Sequence, residues 1–336
     1  MSRPVVPLSL DMQSLQPGLA GDRLLGAVCY GHAPLTDTDS LGIPLRCLGG
    51  PEFSWTSWLG QTPMRSGSCG ALRYRHDDDM LFGHIRLREA DFAGIPGCSA
   101  LQAASRSVYA SIFETLHHTG FAHLVRCWNY LPAINGDGGG LERYRQFNIG
   151  RQEAFATSPH AAQEGSPAAS ALGTPGGDLS LYFLASHTLP VALENPRQIP
   201  AYRYPSQYGP RSPIFSRGAL LPLAHSETLF ISGTASILGH TSVHPGDVAA
   251  QTEETLRNVA AVVAAANTRN SSQPFSCEEL VLKVFVRHAD DLPVIHRIID
   301  ANWGSATRAL FVQADVCRAE LLVEIEAFCS HSRESE

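Results

Sequence analysis

The feature that most constrains this chain is the exchange of strand and helix patterns across residues 227–328. "ETLFISGTAS" (227–236) reads as a strand that ends in a glycine-containing turn. "GDVAAQTEETLRNVAAVVAAAN" (246–267) reads as a helix, since Val248, Thr252, Leu256, Val259 and Val263 step by four, four, three and four. Gly246 and Asp247 suit its start and Asn267 its end. A strand "ELVLKVFVRH" (279–288), a helix "DLPVIHRIIDANW" (291–303) and two strands, "RALFVQADV" (308–316) and "ELLVEIEAF" (320–328), follow. This order predicts an α+β chain, with a mixed β-sheet and helices packed on one face.

The first half repeats part of that order, with a strand over 78–89, a helix over 99–120 ending at Gly120, and a strand over 123–132. A duplicated fold is therefore expected, although no residue-level repeat is visible. Between the halves, "SPHAAQEGSPAASALGTPGGDL" (158–179) has the composition of a mobile loop or linker. The expected organisation is an N-terminal α+β domain over 1–157, the linker 158–179, and a C-terminal domain over 180–336. The first 90 residues match no motif.

A net charge of −7 argues against nucleic-acid binding, which needs a basic excess to displace counterions. It leaves room for an anionic small molecule held by a few arginines in a cleft. No stretch has the length and apolarity of a membrane helix, and the N-terminus lacks the pattern of a secretory signal. Lys283 is the only lysine, and it lies in a strand, so lysine-based mechanisms are set aside. The eight cysteines contain no C-x-x-C pair, and His117, His118 and His123 gain no ligating partner from their own motif. The expectation is a cytoplasmic protein with reduced thiols and neither metal nor cofactor.

Two stretches carry more polar and aromatic groups than a connection needs. In "INGDGGGLERYRQFNIGR" (134–151), glycines precede Arg143, Tyr144, Arg145 and Arg151. In "YRYPSQYGPRSPIFSRG" (202–218), Tyr202, Tyr204 and Tyr208 alternate with Arg203, Arg211 and Arg217. Guanidinium forks and tyrosine hydroxyls suit a ligand with several carboxylates. An exposed salt-bridged turn and a proline-rich surface strap are the plainer readings. Near the C-terminus, "LLVEIEAF" (321–328) places Leu322, Glu324, Glu326 and Phe328 on one strand face. Periodicity alone leaves both acids open to solvation and either one open to chemistry.

"ISGTAS", "GDVAAQTEETLRNVAAVV", an arginine heading a strand and "VEIEA" resemble the RidA (YjgF) fold over roughly residues 200–330. That family comprises imine or enamine deaminases, trimers with a carboxylate-binding arginine and a strand glutamate, which Arg308 and the "VEIEA" acids match. Five further motifs in order, "RCWNYLPAIN", "ERYRQFNIGR", "YPSQYGPRSPIFSRG", "SGTASILGH" and "ADVCRAELLVEIEA", resemble the chorismatases over most of 120–330.

The second resemblance implies a lyase that cleaves chorismate to pyruvate and 3-hydroxybenzoate, with 4-hydroxybenzoate as a further product in one group. In the 3-hydroxybenzoate makers, a glycine ends the strand and a cysteine lies seven residues before the catalytic glutamate. Gly233 and Cys317 occupy those places, and the interval selects Glu324 over Glu326. The resemblance then implies Glu324 as general acid, Cys317 beside the ring, Arg151, Arg211 and Arg308 on the carboxylates, and Tyr202 and Tyr208 orienting the substrate. The alternatives are a chorismate hydrolase giving a dihydroxycyclohexadiene carboxylate, a RidA-type deaminase, or a ligand-binding module of that fold. Two similar halves in one chain favour a monomer, with a trimer as the other arrangement.

Overall fold

The computed structural model describes residues 9–11, 23–31, 40–60, 64–158 and 165–333. Among these residues four helices, α1 (Ala100–Thr119), α2 (Arg143–Thr157), α3 (Val248–Asn267) and α4 (Leu292–Trp303), flank two seven-stranded sheets. Their ends follow local chemistry. Ser99 caps α1 by accepting from Gln102 N, and Asp247 caps α3 by accepting from Ala250 N. Gly120 closes α1 in the left-handed region, at φ 80°.

The first sheet runs Asp315–Val316, Ala168–Thr174, His123–Pro132, Leu179–Ser186, Met80–Leu87, Leu72–His76, Arg65–Cys69. The second runs Cys47–Leu48, Arg308–Gln313, Val281–Val286, Val323–Ser332, Ser226–Ala235, Gly218–Pro222, Val191–Leu193. Strand for strand the two orders match. In each, two neighbouring strands are parallel and joined through a helix, α2 in the first sheet and α4 in the second. The expected duplication is thus present in topology, and each sheet takes one short edge strand from the other half of the chain.

The sheets pack face to face, and each is covered on its outer side by one helix pair. The layer between them holds Trp58, Trp128, Tyr130, Tyr182, Phe230, Phe285 and Phe328. α1 and α2 bury Leu101, Val108, Ile112 and Phe155 against the first sheet. α3 and α4 bury Leu256, Val259, Ile295 and Ile299 against the second. A smaller four-stranded sheet from Ser9–Asp11, Leu24–Tyr30, Ser40–Ile43 and Ser54–Leu59 sends Tyr30 and Trp58 into the central layer. All eight cysteines are free, and no helix among the described residues is long and apolar enough to cross a membrane.

The segment 158–179 departs from its reading as a linker. Residues 159–164 lie outside the described residues, but Ala168–Thr174 is a strand paired to His123–Pro132 along its whole length. Its small residues, "AASALGT", imitate a flexible connection in composition. Here they let the strand fit between helix layer and facing sheet, and Gly173 lies so close to Ile134 and Asp315 that a Cβ would not fit.

Candidate active site

The strand Val323–Ser332 sends Val323, Ile325 and Ala327 toward α3 and α4, and Phe328 into the layer between the sheets. Glu324 and Glu326 share the inward face, and both are buried, at 3% and 5% exposure. Neither acid is solvated, so each must be either neutralised or paired.

They divide those two solutions between them. Glu326 accepts from Arg126 Nη2 at 2.8 Å, Trp128 Nε1 at 2.8 Å, Ser170 Oγ at 2.7 Å and Lys283 Nζ at 2.7 Å. Burial alone would push its carboxyl up, but Lys283 and Arg126 hold it below the ordinary carboxylate range, so it is charged. The network continues through Lys283 Nζ to Tyr182 OH at 3.2 Å and on to Tyr30 and Tyr130, whose hydroxyls link in 2.9 Å steps. Glu324 receives no hydrogen bond from any described side chain. Burial, and then the charge of Glu326 two residues along, push it up to about 8. Glu324 is therefore a carboxylic acid that keeps its proton near neutral pH.

Glu324 pairs with Ala235, and one step along the same ladder the register slips between Ile231 and Thr234, leaving Ser232 and Gly233 as a bulge opposite Glu326. Ser170 Oγ accepts the Gly233 N–H at 3.0 Å while donating to Glu326. A Cβ on Gly233 would collide with Glu324 Oε1, so only glycine leaves the acid its place.

Glu324 and Gly233 line a cavity of ≈ 370 Å³, a size suited to a small ligand. Cys317, Tyr144 and Phe215 line it beside them, and Tyr204, Tyr208, Arg145, Arg217 and Arg318 form a cationic aromatic wall. Arg217 Nη2 donates to Tyr204 OH at 2.7 Å and to Ile199 O at 3.0 Å, with its guanidinium over the Phe215 ring at 5.1 Å. Arg318 donates to His240 O at 2.9 Å and lies over Tyr208 at 4.0 Å. Arg145 pairs with Glu142 at 3.0 Å. These contacts fix the arginines in direction and leave further donors for an anionic ligand. Burial, and then the nearby Glu324, push the Cys317 thiol up to about 12, so it is a neutral thiol and not a thiolate.

Of the site residues that the resemblance implies, the cavity brings together Glu324, Cys317, Gly233 and Tyr208, and from the two polar stretches it also gathers Tyr144, Arg145, Tyr204 and Arg217. It does not gather the others. Arg308 is exposed and in register with Val281, which pairs with Phe328, whereas Phe285 pairs with Glu324. It therefore lies four residues down the sheet, about 13 Å away at a strand's rise per residue. Arg211 is exposed and Tyr202 half-buried, neither on the cavity wall. Arg151 is buried behind the wall, its guanidinium over Tyr109 at 4.9 Å.

The two arginine-bearing motifs thus reach the cavity wall through arginines other than Arg151 and Arg211. "ERYRQFNIGR" contributes Arg145 and "YPSQYGPRSPIFSRG" contributes Arg217. Arg318, the residue after Cys317, is missed by sequence reasoning altogether. Its position in the turn beside the selected cysteine is the available signal. Lys283, Arg126 and Ser170 give none, because a buried ion pair between sheets joins residues as much as 200 positions apart.

Known proteins resemble this chain over most of its length. The family model described as "Chorismatase FkbO/Hyg5-like, N-terminal" matches residues 56–185. A chorismatase of Streptomyces rapamycinicus is 37% identical over 277 residues, 80% of each chain. A 3-hydroxybenzoate synthase of Streptomyces hygroscopicus is 34% identical over 278 residues, 80% of this chain and 79% of its own. A crystal structure of a chorismatase at 1.08 Å resolution superimposes with a TM-score of 0.85 at 31% identity, covering 97% of this chain and 99% of the other. The chain belongs to the chorismatase family.

Proposed function

We propose that this protein cleaves chorismate to pyruvate and 3-hydroxybenzoate, with Glu324 as general acid. The observation that carries the reading is a buried, unpaired carboxyl held near pKa 8 on the wall of a cavity that also presents three arginines. Cleaving an enol ether begins with protonation of its methylene carbon, and a buried acid that keeps its proton is the group for that step. Glu326, fully hydrogen-bonded and charged, is not free to donate.

Chorismate carries two carboxylates, and Arg217, Arg318 and Arg145 replace Arg151, Arg211 and Arg308 as the groups that hold them. Tyr208 and Phe215 bracket the ring. Proton transfer from Glu324 to the methylene carbon produces an oxocarbenium centre, and breaking the bond from ring C3 to the ether oxygen releases pyruvate. The C4 hydroxyl oxygen bonds to C3, and its proton balances the one Glu324 gave. The resulting arene oxide opens and loses a ring proton to give 3-hydroxybenzoate. Chorismate thus equals hydroxybenzoate plus pyruvate with no water consumed. As a neutral thiol Cys317 cannot serve as the base; it fills the space beside the ring and keeps water from C3. The identity of one relative as a 3-hydroxybenzoate synthase supports this product over the dihydrodiol. Incubation with chorismate and separation of the products tests it. Equal amounts of pyruvate and 3-hydroxybenzoate are expected, and dihydrodiol as the main product would overturn the intramolecular route.

A further inference from the structure

Away from the cavity, at the far end of the strand that carries Glu324, three ligating groups converge. Cys329 and His331 lie two residues apart on one face, and both are buried. Cys329 Sγ is 3.5 Å from His331 Nε2, and Glu279 Oε2 is 3.3 Å from the same nitrogen. All three ligand atoms lie within 4.8 Å of one another.

The other ring nitrogen decides what these contacts mean. His331 Nδ1 is 3.1 Å from the Gln273 carbonyl, which can only accept, so Nδ1 carries the proton. Nε2 of the neutral ring then presents a lone pair to a carboxylate oxygen and to a sulfur. The Cys329 thiol proton can satisfy the sulfur–nitrogen contact, but the Glu279 oxygen still faces the same lone pair, and a cation between the three satisfies all of them at once.

The surroundings are built in advance of any ion. Glu227 accepts the N–H groups of Ser271 and Ser272, both at 2.9 Å, and pins the loop that supplies the Gln273 carbonyl. Asn267 binds Phe275 through its backbone N–H and C=O, each at 2.8 Å. The Phe275 ring in turn stacks on His331 with centroids 4.5 Å apart. A histidine fixed by a carbonyl on one nitrogen, with the other turned to a thiol and a carboxylate, has the outer-shell support of a metal ligand.

The geometry points to a zinc site formed by Cys329, His331 and Glu279, with a fourth position open to water. Tetrahedral zinc at ordinary bond lengths sets sulfur and nitrogen about 3.5 Å apart, and nitrogen and oxygen about 3.4 Å apart. The observed separations are 3.5 Å and 3.3 Å. A sulfur, nitrogen and oxygen set selects a borderline cation over magnesium or calcium. Glu279 is half exposed and gives the ion its way in. Bound there, zinc ties the end of the Glu324 strand to the 273–279 loop and takes no part at the cavity.

The test uses full-length protein without an affinity tag, stripped with a chelator and dialysed against Zn²⁺ or Co²⁺. About one zinc per chain is expected, with loss of at least tenfold in affinity in E279Q and of stable binding in C329S and H331Q. The cobalt form should show a sulfur-to-metal charge-transfer band, absent in C329S. Because Glu279 is a surface residue, E279Q tests the site even if the buried variants do not fold. No charge-transfer band in the wild type, or equal zinc affinity in E279Q and wild type, would overturn the site.

Discussion

Replacing Glu326 by glutamine tests how the proton on Glu324 is retained. Two residues along one strand are about 6.7 Å apart, and at an effective dielectric constant of about 20 unit charges at that distance interact by about 2.5 kcal/mol. Removing the charge of Glu326 should therefore lower the Glu324 carboxyl by about 1 to 2 units from its position near 8. Arg126 and Lys283, no longer neutralised, pull in the same direction. A general acid works only while protonated, so activity is lost as pH rises through its pKa. The alkaline limb of kcat/KM for pyruvate release, followed with a coupled dehydrogenase, should move to lower pH. For a shift of about 1.5 units the rate falls about fifteenfold at pH 8 and hardly at all at pH 5.5. Loss of a buried partner costs about 3–5 kcal/mol of stability, so K283M/E326Q, which removes a cation with the anion, is the companion variant. Its limb should return part of the way toward that of the wild type. An alkaline limb unmoved in folded E326Q would refute the electrostatic origin of the raised pKa.

Other expectations follow from the same site. Glu324 is neutral in the fold and ionises above about 4.3 when unfolded, so its contribution to stability is present below that pH and is lost as pH rises through about 8. E324Q, which does not titrate, should gain on the wild type by on the order of 4 kcal/mol between pH 4 and pH 8, read by denaturant titration at each pH; a constant difference would contradict a buried neutral acid. C317A opens space for water beside the ring and should raise the ratio of dihydrodiol to hydroxybenzoate, measured by chromatography; an unchanged ratio removes Cys317 from product control. R217A and R318A should each raise KM for chorismate at least tenfold, while R211A and R308A stay within about twofold. The reverse pattern would return the carboxylate-binding role to the exposed arginines.

What is legible in the sequence depends on periodicity and caps. α1, α3, α4 and the strand His123–Pro132 emerge within two residues of their reading, because each buries one regular stripe or run and ends on a recognisable residue. α2 escapes the reading for a physical reason. It buries Gln146, Asn148 and Arg151 alongside Phe147 and Phe155, so no apolar stripe marks it, and its glycine-rich approach imitates a loop. The strand Ala168–Thr174 hides behind small residues for the reason its packing requires them. At the site, periodicity leaves Glu324 and Glu326 equivalent and only the resemblance to the chorismatases singles out Glu324; in the structure the two differ, one acid having four donors and the other none among the described side chains. Which arginines line the cavity is not legible. That depends on how the 3-10 turns Ala201–Arg203 and Ser206–Tyr208 bring Tyr204, Tyr208 and Arg217 to its wall.

The central claim is that a protonated Glu324 initiates cleavage of chorismate. Its most direct test is pyruvate release from chorismate at pH 7 by the wild type and by E324Q, with circular dichroism of both to establish that the variant is folded. The wild type should release pyruvate and 3-hydroxybenzoate in equal amounts, and E324Q should fall by at least a thousandfold, about 4 kcal/mol of barrier. Folded E324Q that releases pyruvate at the wild-type rate, or a wild type inert toward chorismate, would contradict it.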